Sequence, residues 1–180
     1  MIGILFATEM EAQPFLSSSN RRDLLVDISG MGMEAAALAT HRLLDQGVSC
    51  VINAGVCGAL NDSFCRGDVF RISTVFVEDF LKEEEIEKEG VRLVSVVQPL
   101  FDKERRERLS RRADLVDMEG FAVAQICKKK NADCFLIKGV TDFGDQNGSV
   151  DIQEHIQWVS ERVADAVLVL IEAFRGAGKC

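Results

Sequence analysis

Residues 114–145, DLVDMEGFAVAQICKKKNADCFLIKGVTDFGD, decide the fold. The segment reads as a short run into an acidic turn, a helix, a buried strand and a second acidic turn. Phe121, Ala122, Ala124 and Ile126 place apolar groups on one helical face. Lys128–Lys130 suit that helix's C-terminus, where cations meet the negative end of the dipole. Cys134–Val140 is the buried-strand run. Glu119 and Asp142 sit where ordered segments meet. Ligands of α/β proteins bind in the crevice beyond the carboxyl ends of strands. The remaining chain is therefore expected to build a pocket around these two acids.

Working outward, the flanking sequence repeats the same alternation. Ile2–Ala7 and Leu24–Ile28 are short apolar runs, read as strands. Ser17–Arg22 between them is turn-like. Ser29-Gly30-Met31-Gly32 opens an Ala-rich helix from about Met33 to Gln46, with Gly47 at its C-terminal cap. Cys50–Ala54 is a third run, ending in a Gly-rich turn over Asn53–Leu60. Asp68–Val77 and Val91–Val97 read as further strands, and Asp102–Arg112 as a basic surface helix. The charge run Lys82–Glu89 reads as a solvated helix face or loop. Asp151-x-x-Glu154 resembles a capping box for a last helix running to about Phe174. Strands alternating with helices predict a single-domain (residues 1–180) three-layer α/β/α fold around a central twisted, mostly parallel (mixed) sheet.

Composition narrows the function. With 180 residues, 47% of them hydrophobic, one domain with a sizeable core is expected. The formal net charge of -8 disfavours nucleic acid as a partner. No apolar run reaches membrane-spanning length, and the apolar N-terminus lacks the basic region of a signal peptide. The six cysteines, Cys50, Cys57, Cys65, Cys127, Cys134 and Cys180, form no C-x-x-C pair and have no His at metal-ligand spacing. They read as reduced thiols of a cytoplasmic protein rather than as disulfides or a zinc site, so no metal is expected.

Three constellations remain. Gly30-x-Gly32-x-x-Ala35 matches the Ala-ended dinucleotide fingerprint, but the following strand ends in Asn53-Ala54-Gly55 without the acid that would bind ribose. A turn touching a smaller ligand, or one that only packs the helix on the sheet, fits better. Gly55 and Gly58 would let main-chain groups line a pocket, or would only shape a tight turn. Glu11, Glu119 and Asp142 each follow an apolar run, and acids in different environments can divide acid and base work. His41 and His155 lie in expected helices without a partner pattern and read as structural or solvent-exposed. Trp158 reads as core or interface.

In order along the chain come Ile2-Gly3-Ile4 with Ala7 and Glu11, Ser29-Gly30-Met31-Gly32, Asn53-Ala54-Gly55-Val56-Cys57-Gly58, Val116-Asp117-Met118-Glu119 and Thr141-Asp142. This series resembles the nucleoside phosphorylase/nucleosidase family, nearest to methylthioadenosine/S-adenosylhomocysteine nucleosidases and related nucleoside hydrolases. The resemblance implies cleavage of the N-glycosidic bond of a purine nucleoside, without a cofactor. It implies that Asp142 protonates N7 of the base and that Glu11 positions or activates water. It implies that Glu119 holds ribose hydroxyls, with Met118 under the sugar and Val56, Cys57 and Gly58 at the pocket border. Thr141 accompanies Asp142, and Ser29 and Gly30 would lie where phosphorylases hold phosphate and nucleosidases hold water. Adenosine-type and futalosine-type nucleosides both fit the pattern.

Phosphorylases of the family usually carry an arginine before the second Gly turn. The neighbourhood here is Ser49-Cys50-Val51-Ile52-Asn53-Ala54, with no Arg, which favours water over phosphate. The phosphorylase stays the alternative enzyme. A nucleoside-binding module that has lost catalysis is the alternative of another class, and it would be expected to lack one of the three acids. Family members are commonly homodimers or larger homo-oligomers. The chain is shorter than usual between Val77 and Asp114, where the family builds a wall against the purine. Phe76, Phe80 and Phe101 are the candidates to replace it.

Overall fold

The computed structural model describes residues 1–19, 23–79 and 81–176. The expectations for Asn20–Arg22 in the turn, Phe80 in the purine wall and Cys180 as a thiol lie outside the described residues. Five parallel pairings and three antiparallel ones join eight strands into a mixed sheet.

β1 (Ile2–Phe6) lies between β2 (Leu24–Ile28) and β3 (Cys50–Ala59), parallel to both. Side chains alternate across the strand, as the pleat requires. Ile2, Ile4 and Phe6 face one core, lined also by α1 (Glu9–Ser18) and α5 (Gly148–Gly176). Leu5 and Val51 face the other, under α2 (Met33–Asp45) and α4 (Gly120–Lys129). These are the three expected layers.

The far half of the sheet curls. β8 (Asp133–Asp142) is parallel to β3 and antiparallel to β4 (Val69–Val77). β4 continues to β6 (Val91–Ser95), then to β7 (Leu115–Asp117), which returns antiparallel to the end of β3. These five strands close a ring. Its interior is filled by Cys57, Ile72, Leu93, Leu136 and Val140, with Phe121 and Ala124 of α4 packed in the same cluster. α3 (Lys103–Ser110), capped by Asp102, packs Leu109 onto Leu60, Val94 and Val116.

Four local readings need correction. Asn53–Leu60 is not a turn, because β3 runs on to Ala59 with a register shift after Cys57. Lys82–Glu89 is neither a helix face nor all loop, since β5 (Glu83–Glu85) pairs antiparallel with β4. The last helix starts at Gly148, which places Asp151 and Glu154 inside it rather than at its cap. The unforeseen helix α1 starts with a full capping box, Thr8 to Glu11, despite Pro14 within it. No helix among the described residues is long and apolar enough to cross a membrane.

Candidate active site

The site is a pocket at the carboxyl ends of β3 and β8, bounded by the start of α1, the segment after β7 and the start of α5. Its lining includes Thr8, Glu11, Met31, Val56, Cys57, Gly58, Phe101, Asp117, Met118, Glu119, Thr141, Asp142, Ile152 and Ile156. Four acids line it, Glu11, Asp117, Glu119 and Asp142, brought from three separate stretches of the chain and each buried.

Glu11 is placed by its own helix cap. Its Oε2 accepts from the Thr8 backbone N–H and from the Thr8 hydroxyl, both at 2.8 Å. Its Oε1 accepts from the Val56 N–H at 2.9 Å. That contact explains Gly55: a Cβ there would stand 2.6 Å from Glu11 Oε1.

Glu119 precedes α4 without capping it through its side chain. Its Oε1 accepts from the Gly32 N–H at 2.6 Å, and its Oε2 from the Met118 N–H at 3.3 Å. Burial pushes its pKa up to about 7, with Asp117 and Glu11 adding to the rise while Lys138 and the Gly32 N–H oppose it.

Asp142 ends β8. Its Oδ1 accepts from the Gly144 N–H at 2.8 Å and its Oδ2 from the Thr141 hydroxyl at 3.1 Å. Burial raises its pKa from the ordinary aspartate value, against the pull of those two donors. Gly58 leaves room for it, since a Cβ would lie 2.9 Å from Asp142 Oδ1. Such an acid holds its proton to higher pH than a solvated aspartate and can deliver it to a ligand.

Beneath the pocket is a buried ion pair that the sequence reading missed. Lys138 Nζ lies 2.8 Å from Asp117 Oδ2, and both side chains are almost wholly shielded. Burial alone would lower the lysine's pKa, but Asp117, Glu119 and Glu11 together hold it above its usual value. Asp117 also accepts from the Ser95 hydroxyl and from the Gly120 N–H. Lys138 lies in the apolar run of β8, so its charge was the only available signal.

Met118, Val56, Cys57, Gly58 and Thr141 all line the pocket, as expected of site residues. Ser29 and Gly30 do not. The Ser29 hydroxyl turns back to the Phe6 and Gly30 carbonyls, and this turn reaches the site instead through Met31 and the Gly32 N–H. Phe101 flanks the pocket, whereas Phe76 is buried beside Val94 under the Arg92 guanidinium and does not line it. His155 Nδ1 contacts the Asp151 carbonyl within α5. Trp158 lies partly exposed against Gly67. The described cysteines carry no disulfide.

With this geometry in place, comparison with known proteins is informative. The phosphorylase superfamily model matches residues 9–113 and 77–174. The 5′-methylthioadenosine/S-adenosylhomocysteine nucleosidase of Buchnera aphidicola subsp. Acyrthosiphon pisum (strain APS) is 37% identical over 57 residues, 32% of this chain. That match spans only 25% of the relative's own length. The enzyme of the same description from Shewanella frigidimarina (strain NCIMB 400) is 24% identical over 189 aligned residues, covering 84% of this chain and 82% of that one. Among solved structures, futalosine hydrolase of Helicobacter pylori strain 26695 superposes with a TM-score of 0.89 at 20% identity, covering 96% and 97% of the two chains. A Helicobacter pylori 5′-methylthioadenosine/S-adenosyl homocysteine nucleosidase does so with a TM-score of 0.85, also at 20% identity and the same coverage. At that identity the two superpositions establish a shared fold.

Proposed function

The chain belongs to the phosphorylase superfamily, and from that premise we propose that it is a purine nucleoside hydrolase, cleaving the N-glycosidic bond of an adenosine-type or futalosine-type nucleoside with water. The carrying observation is the convergence of Glu11, Glu119 and Asp142 in one pocket whose described lining holds no lysine, arginine or histidine.

Bond breaking leaves positive charge on the sugar and negative charge on the departing purine. Asp142, whose proton is held more tightly by burial than that of a solvated aspartate, donates it to N7 and makes the base a neutral leaving group. Glu119 receives the ribose hydroxyls, and Met118 packs under the ring. Glu11 orients water towards the anomeric carbon and takes up its proton as the C–O bond forms. The sugar's transient positive charge faces carboxylates, which stabilise it electrostatically. Val56, Cys57 and Gly58 border the ligand, and Thr141 steadies Asp142 through its hydroxyl.

Hydrolysis is favoured over phosphorolysis by what occupies the anion-binding positions. The Gly32 N–H, at the start of α2 where a phosphate oxygen would dock, is taken by Glu119. A dianion there would meet carboxylates and no cationic side chain. Retention of all three acids favours an enzyme over a binding module.

We further propose that residues 1–180 act as one catalytic domain in the cytoplasm, as a homodimer or larger homo-oligomer. The exposed Met31 and Phe101 at the pocket, with Val97 nearby, support a covering neighbour.

The test is release of free base from a nucleoside panel with and without phosphate. Equal release in both conditions, yielding free sugar, is expected. Strict phosphate dependence would overturn the assignment in favour of a phosphorylase, and binding without release would favour a catalytically silent module.

A further inference from the structure

The loop after β8 carries Asp142 and is held from outside by an arginine that does not line the pocket. Arg106, on α3, is largely buried, with its side chain 17% exposed. Its Nε donates to the Phe143 carbonyl at 2.7 Å, and its Nη2 to the Leu60 carbonyl at 3.3 Å and to Asp62 at 2.7 Å. The Phe143 carbonyl and the Gly144 N–H are the two ends of one peptide unit. That N–H is the one donated to Asp142 Oδ1, at 2.8 Å. Gly144 adopts φ +61, the left-handed conformation that favours glycine at this turn. Arg66 stacks over the Phe143 ring at 4.6 Å, and so fixes the side chain of the residue whose carbonyl Arg106 holds.

We propose that Arg106 is a positioning residue for Asp142, acting through the Phe143–Gly144 peptide. This rests on the reading of Asp142 as the proton donor. A guanidinium on the carbonyl end of an amide polarises it and strengthens the donor at its other end. The strengthened N–H stabilises the carboxylate that Asp142 becomes once its proton has left. The same two bonds prevent the peptide from flipping, so the carboxyl keeps its direction towards the pocket.

Other titratable or charged groups surround Asp142. They are Asp145 in the same loop, Asp151 on α5 with its partner Arg66, and the buried, neutral Cys57 thiol on β3. Asp62, Asp102 and Lys103 lie around the outer side of Arg106. Of the arginines near the loop, Arg106 is the one bonded to the peptide that touches Asp142.

The test is Arg106→Met, read in two independent ways. Carbon-13 NMR titration of the Asp142 carboxyl is expected to move up by roughly half a pH unit. The basic limb of the kcat–pH profile, where the proton donor is lost, moves up with it. Turnover falls about tenfold while KM stays within about twofold. Asp62→Asn removes an outer partner of Arg106 but leaves the peptide contact, and is expected to leave the titration in place. If Arg106→Met does not fold, Arg106→Gln decides, because it removes the charge and is expected to shift the titration in the same direction. An unmoved titration in a folded Met or Gln variant would overturn the proposal, as would an equal shift in Asp62→Asn. The titration needs no turnover. A shift without nucleoside cleavage by the wild type therefore rejects the proposed activity and keeps the coupling, while cleavage with an unmoved titration rejects the coupling alone.

Discussion

Glu119 and Asp142 are both buried acids at strand ends, both with raised proton affinity, yet they are held by different kinds of neighbour. Asp142 is bonded to two neutral donors, a peptide N–H and a hydroxyl, and only more distant acids act on its charge. Glu119 sits in a field of full charges, with Asp117 and Glu11 raising its pKa and Lys138 lowering it. At Asp142 proton affinity follows burial and local dipoles. At Glu119 it follows a shared charge network, so a change in any member is felt by the others.

The comparison breaks most directly at Asp142. Asp142→Asn retains the shape and removes the transferable proton, and steady-state kinetics should show turnover at least about a hundredfold lower. Wild-type turnover would mean that the two acids do not divide the work. The network is tested next by Lys138→Met, which leaves Asp117 buried without its cation. Urea unfolding should show a loss of about 3 kcal/mol or more, since breaking a buried pair strands its partner. A loss near zero would mean that solvent reaches Lys138 and the network is weaker than its burial implies. Gly55→Ala sharpens the picture at Glu11. The new methyl group displaces Oε1 from the Val56 N–H, and we expect kcat to fall about tenfold in steady-state assays with the fold retained.

The smallest expected effect concerns pH. The Glu119 pKa is pushed up to about 7 in the folded chain from its ordinary 4.5, so the folded state holds its proton more tightly than the unfolded state does. Its contribution to stability is complete below about 4.5 and is lost as pH rises through about 7. Glu119→Gln should flatten that part of the stability profile across the same window. An unchanged slope in denaturation series at several pH values would place the titration elsewhere.

Much of this architecture was legible in the sequence. β1, β2, α2 and β8 follow from predominantly apolar runs and an Ala-rich segment closed by a glycine at φ +85. The converging acids were legible too, because each follows such a run. The course of β3 was not, because glycines in sequence usually announce a turn. Gly55 and Gly58 are in a strand because side chains there would collide with Glu11 and Asp142, which arrive from elsewhere in the chain. The capping box of α1 is written in Thr8-x-x-Glu11, but Pro14 inside the segment argues against a helix there. Lys138 was hidden because a buried cation makes sense only beside an anion, and its partner comes from another strand. The ring closure between β4 and β8 is likewise a non-local pairing that no periodicity announces.

The edge strand β5 has a further consequence. Its three residues are all glutamates, and it pairs only with β4. An unpaired strand edge is a template on which another chain can lay itself, the first step towards fibrous aggregation. A second copy approaching β5 in register would set glutamates against glutamates. The run that reads as mere surface charge therefore protects this open end of the sheet from edge-to-edge self-association.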